Sequence, residues 1–252
     1  MSSPDVTVEQ HGAHVGVVSL HRPPNNYFDT GLIEDVAAAY EELDGSGWCR
    51  AVVLAAEGRH FCAGLDFAGN AGQDIAALYG AALRLFAAPL PVVAAVQGAA
   101  IGGGCGLALS ADFRVATPRS RFSANFARLA FHHGFALTVT LPAVVGRQAA
   151  ADLLLTGRRV GGEQALALGL CDRLVDEDDL LAQAIAYADE LAAAGPLAVR
   201  AIRATLRHGL VEEARLAMEH ECAEQTRLGD TADFAEGVRA TAERREPSFR
   251  GE

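Results

Sequence analysis

The stretch Ala100–Phe113, AIGGGCGLALSADF, sets Gly102, Gly103 and Gly104 in a row and adds Gly106 two residues on. Glycine forfeits more backbone entropy on folding than any other residue, and helix propensity argues against it in such a run. A bare backbone here therefore has a use. No Gly-x-Gly-x-x-Gly spacing fits, and no Gly-Lys-Ser/Thr ending follows, which excludes dinucleotide and Walker-type phosphate loops. Two uses remain. Either the glycines let a helix approach a sheet closely, or they open a helix whose unpaired N–H groups stabilise an anion.

A second stretch favours the anion. EGRHFCAGLDFAG, Glu57–Gly69, also follows an apolar run, AVVLAA, and also carries a turn glycine before an apolar residue and an acid. Two strand-to-turn junctions, each offering a backbone N–H, can converge on one oxygen as an oxyanion hole. Losing one such donor costs on the order of 3 kcal/mol of transition-state stabilisation.

The elements that must carry these turns are legible as alternating patterns. VTVEQ, HVGVVSL, AVVLAA, VVAAV and FRVA read as strands. GLIEDVAAAYEEL and DIAALYGAALRLF read as amphipathic helices, with Tyr79 among the apolar positions of the second and so read as core packing. Strand–helix alternation implies an α/β fold. From Asp179 onward the patterns are helical only, and Pro196 suits the first turn of a new helix. We expect a core over 1–195 and a helical assembly region over 196–252.

The chain has 252 residues, a net charge of −11 and no lysine, which argues against a nucleic-acid or anionic membrane surface. No apolar run approaches spanning length and the N-terminus lacks a signal pattern, so a cytoplasmic protein is expected. The five cysteines lack metal spacing; free thiols and no metal site are expected.

HFCAGLDF together with AAVQGAAIGGGCGLALSADFRVA resembles the crotonase superfamily, the enoyl-CoA hydratase/isomerase family. HRPPNNYFDTGLIEDV, VGRQAAADLLLTGRRVGGEQALALGLCDRLV and AERREPSFRG extend the resemblance over almost the whole chain. It implies a spiral of ββα units followed by a helical trimerisation region, a homotrimer or dimer of trimers, and an acyl thioester of coenzyme A as substrate with no permanently bound cofactor. The oxyanion donors carry over to the backbone N–H groups of Leu65 and Gly103. Ala63, Gly64, Asp66, Gly102, Gly106 and Phe126 carry over as substrate-binding positions, with Asp66 placed to cap the following helix.

The same resemblance marks an absence. Hydratases of this family use two glutamates, a pair suited to act as base and acid on water. Gly106 stands at the first position and Phe126 at the second. Ordinary hydration is therefore not expected. His132 and His133, in NFARLAFHHGFALTVTLP, are the expected proton carriers, because histidine titrates near neutral pH. The alternatives are an acyl-CoA decarboxylase, which needs one proton donor, and a non-catalytic binder of CoA esters. His60 is a candidate for the CoA phosphates, Ser123 and Asn125 for the acyl group, and Asp112 for a buried hydrogen-bonding role.

Overall fold

The computed structural model describes residues 3–66 and 74–252. Residues 67–69, the end of the Glu57–Gly69 stretch, lie outside the described residues. The valine-rich runs form strands β1 (Val6–His11), β2 (Val15–Leu20), β3 (Ala51–Ala56) and β4 (Val92–Val96). After β4 come β5 (Ala99–Ile101), β6 (Phe113–Ala116), β7 (Arg121–Ser123), β8 (Val160–Gly161) and β9 (Arg173–Leu174). One sheet runs β1-β2-β3-β4-β6-β9; a smaller one runs β5-β7-β8. The β1–β2 and β7–β8 pairs are antiparallel, and the other strand pairs of the described residues are parallel.

Both faces of the larger sheet are covered, which explains why its strands read as continuous apolar runs rather than alternating ones. The alternation survives in where each residue points. Val15, Val17, Ala51, Val53, Val93, Ala95 and Val115 face α7 (Leu180–Ala193), meeting Leu180, Ala184, Ala188 and Ala192. Alanines four apart give α7 a flat stripe on which the sheet can lie close. Residues of the other parity, Val18, Leu20, Val52, Leu54, Val92 and Ala94, belong to the main core. That core also takes in α1 (Thr30–Gly45), α2 (Ile75–Ala87) and α3 (Gly103–Ser110).

Helices α1 and α2 start at side-chain caps. Asp29 accepts from the N–H of Leu32 at 2.9 Å, and Asp74 accepts from that of Ala77 at 3.1 Å. The helix after the first turn thus takes its cap from Asp74. The remaining helices are α4 (Leu137–Val145), α5 (Arg147–Thr156), α6 (Gly162–Leu168), α8 (Pro196–Leu206), α9 (Leu210–Gly229) and α10 (Ala232–Glu243). Pro196 is the first residue of α8, as its fixed φ and missing N–H favour. Helix α9 folds back over α2 and α4 through Ala214, Met218, Glu221 and Gln225, whereas no residue of α8 is buried. No helix among the described residues is long and apolar enough to cross a membrane.

Asp112 joins α8 to the sheet. Its carboxylate accepts from the Val92 N–H (2.8 Å), Arg203 Nε (2.9 Å) and Arg207 Nη1 (2.7 Å). The hydrogen-bonding role read from the sequence is met, by a part-buried rather than a fully buried carboxylate.

Candidate active site

The two glycine-bearing turns meet. Cys62 N–H donates to Ala99 O and Ile101 N–H donates back to Cys62 O, both at 3.0 Å. Phe28 N–H holds Gly64 O at 3.0 Å, and Ala63 N–H holds Asn25 O at 2.9 Å. Fully buried Asn26 fixes the approach to the first turn, its side-chain amide donating to Glu57 O (2.7 Å) and His60 O (2.6 Å). Gly64 has φ +90°, and a Cβ there would lie 2.7 Å from Ile101 O and 3.8 Å from Gly103 N. Gly102, at φ 57° and ψ −122°, turns the chain into α3, a conformation open only to glycine. The close-packing use of the glycines is therefore met. A Cβ on Gly104 would sit 2.2 Å from Cys62 O.

Gly103 is the first residue of α3, so its N–H has no acceptor within the helix. Among the described residues, neither that N–H nor the N–H of Leu65 donates a hydrogen bond. Both residues line a cavity of about 420 Å³, together with Ala63, Gly64, Asp66 and Gly102. Its walls are aromatic: Tyr27, Phe28, Tyr79, Phe126, Phe131 and Phe135. The cavity takes walls from both sides of residue 196, since Gln225 of α9 and Val238, Thr241 and Ala242 of α10 also line it.

Gly106 is buried in α3 behind this wall and does not line the cavity. A Cβ on Gly106 would meet Phe135 Cβ at 2.6 Å and Cγ at 2.9 Å. The aromatic ring of Phe135 thus occupies the space an acidic side chain at 106 would need. Phe126 does line the cavity, and a Cβ on Gly102 would lie 3.7 Å from its Cζ.

His132 and His133 do not line the cavity, although Phe131 and Gly134 on either side of them do. The cause is the backbone. Phe135 and Ala136 both adopt the left-handed conformation, at φ 62° and 58°, and reverse the chain so that the Phe135 ring turns inward. The imidazoles stack on each other instead, centroids 4.2 Å apart, with His220 edge-on to His132 at 5.8 Å. His132 Nδ1 donates to the carbonyl of His133 (2.7 Å), and His133 Nε2 bonds Thr138 Oγ1 (2.8 Å).

Glu221 holds this turn. Its fully buried carboxylate accepts from Ala136 N–H (2.9 Å), Thr138 N–H (3.0 Å) and the Thr138 hydroxyl (2.6 Å). Because Thr138 gives its proton to Glu221, it accepts from His133, which fixes the His133 proton on Nε2. Burial, with the adjacent His132 and His220, lowers His133 from 6.5 to about 4. Burial raises Glu221 above its ordinary range, against the pull of its hydrogen bonds.

The unfolded chain protonates this histidine near 6.5 and the folded one near 4, so the histidine removes stability as pH falls through that window, by roughly 3 kcal/mol at most. Glu221, 3.9 Å from His133, works in the opposite direction because its folded pKa is raised. Urea denaturation of His133→Asn between pH 6.5 and 4 should therefore show a smaller acid-dependent loss than the unsubstituted protein. An unchanged slope would place the titration elsewhere.

Tyr79 serves the core and the cavity together. Its hydroxyl donates to Gln225 Oε1 at 2.9 Å, and burial raises its pKa. Gln225 Nε2 donates to His132 O at 2.9 Å, and since a carbonyl only accepts, the amide orientation and the direction of the Tyr79 proton are fixed. A Cβ on Gly134 would fall 1.7 Å from the Tyr79 oxygen. Glu221 and Gln225 were not among the residues read from the sequence. The signal for them is their spacing: with Ala214 and Met218 they continue the inward stripe of α9 as polar residues on an apolar face.

The other candidates separate. Asn125 lines the cavity, as does Arg159, which the sequence reading did not single out. Ser123 Oγ donates to Gly157 O at 3.1 Å, a structural bond. His60 Nδ1 accepts from the Ala99 N–H at 3.1 Å, which ties it to the turn. Cys49, Cys62, Cys105 and Cys171 are buried free thiols, and no group among the described residues has the ligands for a metal ion.

The mixed α/β architecture with its helical C-terminal region defines a class, the crotonase fold. Its crystal-structure neighbours include enoyl-CoA hydratase/isomerase from Pseudoalteromonas atlantica T6c, with TM-score 0.88, 29% identity, and 98% of this chain and 100% of that one covered. Among related sequences, a probable enoyl-CoA hydratase of Bacillus subtilis is 30% identical over 247 residues, covering 94% of this chain and 96% of the relative. A putative enoyl-CoA hydratase of Thermus thermophilus is 34% identical, covering 96% and 100%. Residues 10–252 match the enoyl-CoA hydratase/isomerase family, and the chain belongs to it.

Proposed function

We propose that the protein is an enzyme acting on acyl thioesters of coenzyme A, and that it stabilises a thioester enolate between the backbone N–H groups of Leu65 and Gly103. The observation that carries this reading is the pair of undonated N–H groups facing one cavity from two interlocked turns. Donors preorganised in an apolar surround stabilise developing negative charge without reorganising, which is where their catalytic effect lies. Relatives named as enoyl-CoA hydratases support the thioester.

The wall beside this oxygen site is Phe126 and the Phe135 ring packed over Gly106, so the described residues offer no carboxylate pair there to add water. We assign the chemistry to reactions that pass through an enolate and need one proton. Tyr79, kept protonated by burial, spends that proton on Gln225, and His132 and His133 hold the turn behind it. Acetoacetyl-CoA tests the reading, because its enolate absorbs in the near ultraviolet. Binding should bring growth of the enolate band. Binding with no such band would overturn the oxyanion assignment.

We propose that the chain assembles through α8, as a homotrimer or dimer of trimers. Leu197, Ile202 and Leu206 of this helix are 83%, 59% and 80% exposed, more apolar surface than a lone helix usually leaves in water. Sedimentation should give a mass of three or six chains, and Leu206→Glu should shift it toward the monomer. A monomeric unsubstituted protein would refute the assembly.

A further inference from the structure

We propose that Asn125 and Arg159 form a carboxylate-recognition pair at the rim of the cavity, and that the acyl group accepted there carries a second carboxylate. This rests on the thioester reading above and adds the substrate class. Both residues line the cavity. Among the described residues, neither side chain makes a hydrogen bond or ion pair, in contrast to their neighbours. Arg158 pairs with Asp152 at 2.7 Å, and Arg128 donates to Thr156 O at 3.0 Å.

The fold presses the two together. A Cβ on Gly157 would lie 3.1 Å from the Cα of Asn125, so the segment leading to Arg159 lies directly on the short helical turn that Asn125 begins. On its other side Asn125 adjoins the oxyanion turn, its Oδ1 lying 3.4 Å from where a Cβ of Gly102 would be. A guanidinium and a primary amide offer N–H donors in the fork geometry that a carboxylate accepts. Among the described residues, Arg159 is the sole cationic side chain of the cavity lining.

A phosphate of coenzyme A shares this anion chemistry. The place of Asn125 beside Gly102 favours the acyl carboxylate, since the thioester oxygen sits at that turn and the phosphates lie a pantetheine length away. Calorimetric affinities for succinyl-CoA and butyryl-CoA, repeated with the two acyl pantetheines that lack the nucleotide, distinguish the sources. The unsubstituted protein should prefer the succinyl thioester by about tenfold in both series. Arg159→Gln and Asn125→Ala should shrink that preference, and Arg159→Lys should restore part of it. Equal affinity for succinyl and butyryl thioesters overturns the proposal alone. So does a loss in Arg159→Gln that is equal for both CoA esters and absent for both pantetheines, which would assign Arg159 to a phosphate. Failure of every thioester to bind overturns the thioester reading and the carboxylate pair with it.

Discussion

Replacing Leu65 by proline is expected to lower the rate of thioester enolisation about 100- to 1000-fold, the effect of deleting one preorganised oxyanion donor. Proline removes the N–H and little else that the site uses, because the Leu65 contribution is its backbone. Leu65→Ala keeps the N–H and should keep most of the rate, which separates the backbone from the side chain. The measurement is exchange of the α-proton of a bound acyl-CoA with deuterium, with the thermal midpoint recorded for each variant. Equal losses in the alanine and proline variants would reject the oxyanion role at residue 65.

The second large effect is on stability. Glu221→Ala should destabilise the protein by roughly 3 kcal/mol, read as a fall in the urea midpoint. The substitution leaves the buried N–H of Ala136 and the N–H and hydroxyl of Thr138 without their acceptor. Relief of the buried charge offsets part of the loss, since the carboxyl is already raised by burial. Glu221→Gln should be intermediate, because an amide oxygen accepts but its nitrogen confronts a donor. The same variants loosen Phe135, so ligand affinity should fall with stability. An alanine variant as stable as the unsubstituted protein would mean that the left-handed turn holds itself.

Sequence reading reached the fold because the relevant forces are local or periodic. The strands at VTVEQ, HVGVVSL, AVVLAA, VVAAV and FRVA and helices α1, α2, α7, α9 and α10 follow apolar spacing, which reports burial directly. Asp112 was legible as structural, and Tyr79 as core, though its hydroxyl also borders the cavity. The two histidines show where local reading stops. Residue type and proximity to Phe126 suggested proton transfer, while the reversal at Phe135 and Ala136 turns a phenyl ring inward and both imidazoles away from the cavity wall.

The sequence by itself determined the two turns, since Gly64 and Gly102 adopt backbone angles that side-chain-bearing residues avoid, and the chain must write that requirement in its residue types. It also determined the absence of acids at 106 and 126, which is a matter of identity. Only the tertiary structure decided which side chains share the cavity. Tyr79, Asn125, Arg159 and Gln225 come from separate elements, and their meeting depends on α9 folding back over α2 and on the turn that Glu221 holds. Periodicity reports which face of a helix is buried. What lies against that face is set by packing between segments distant in the chain.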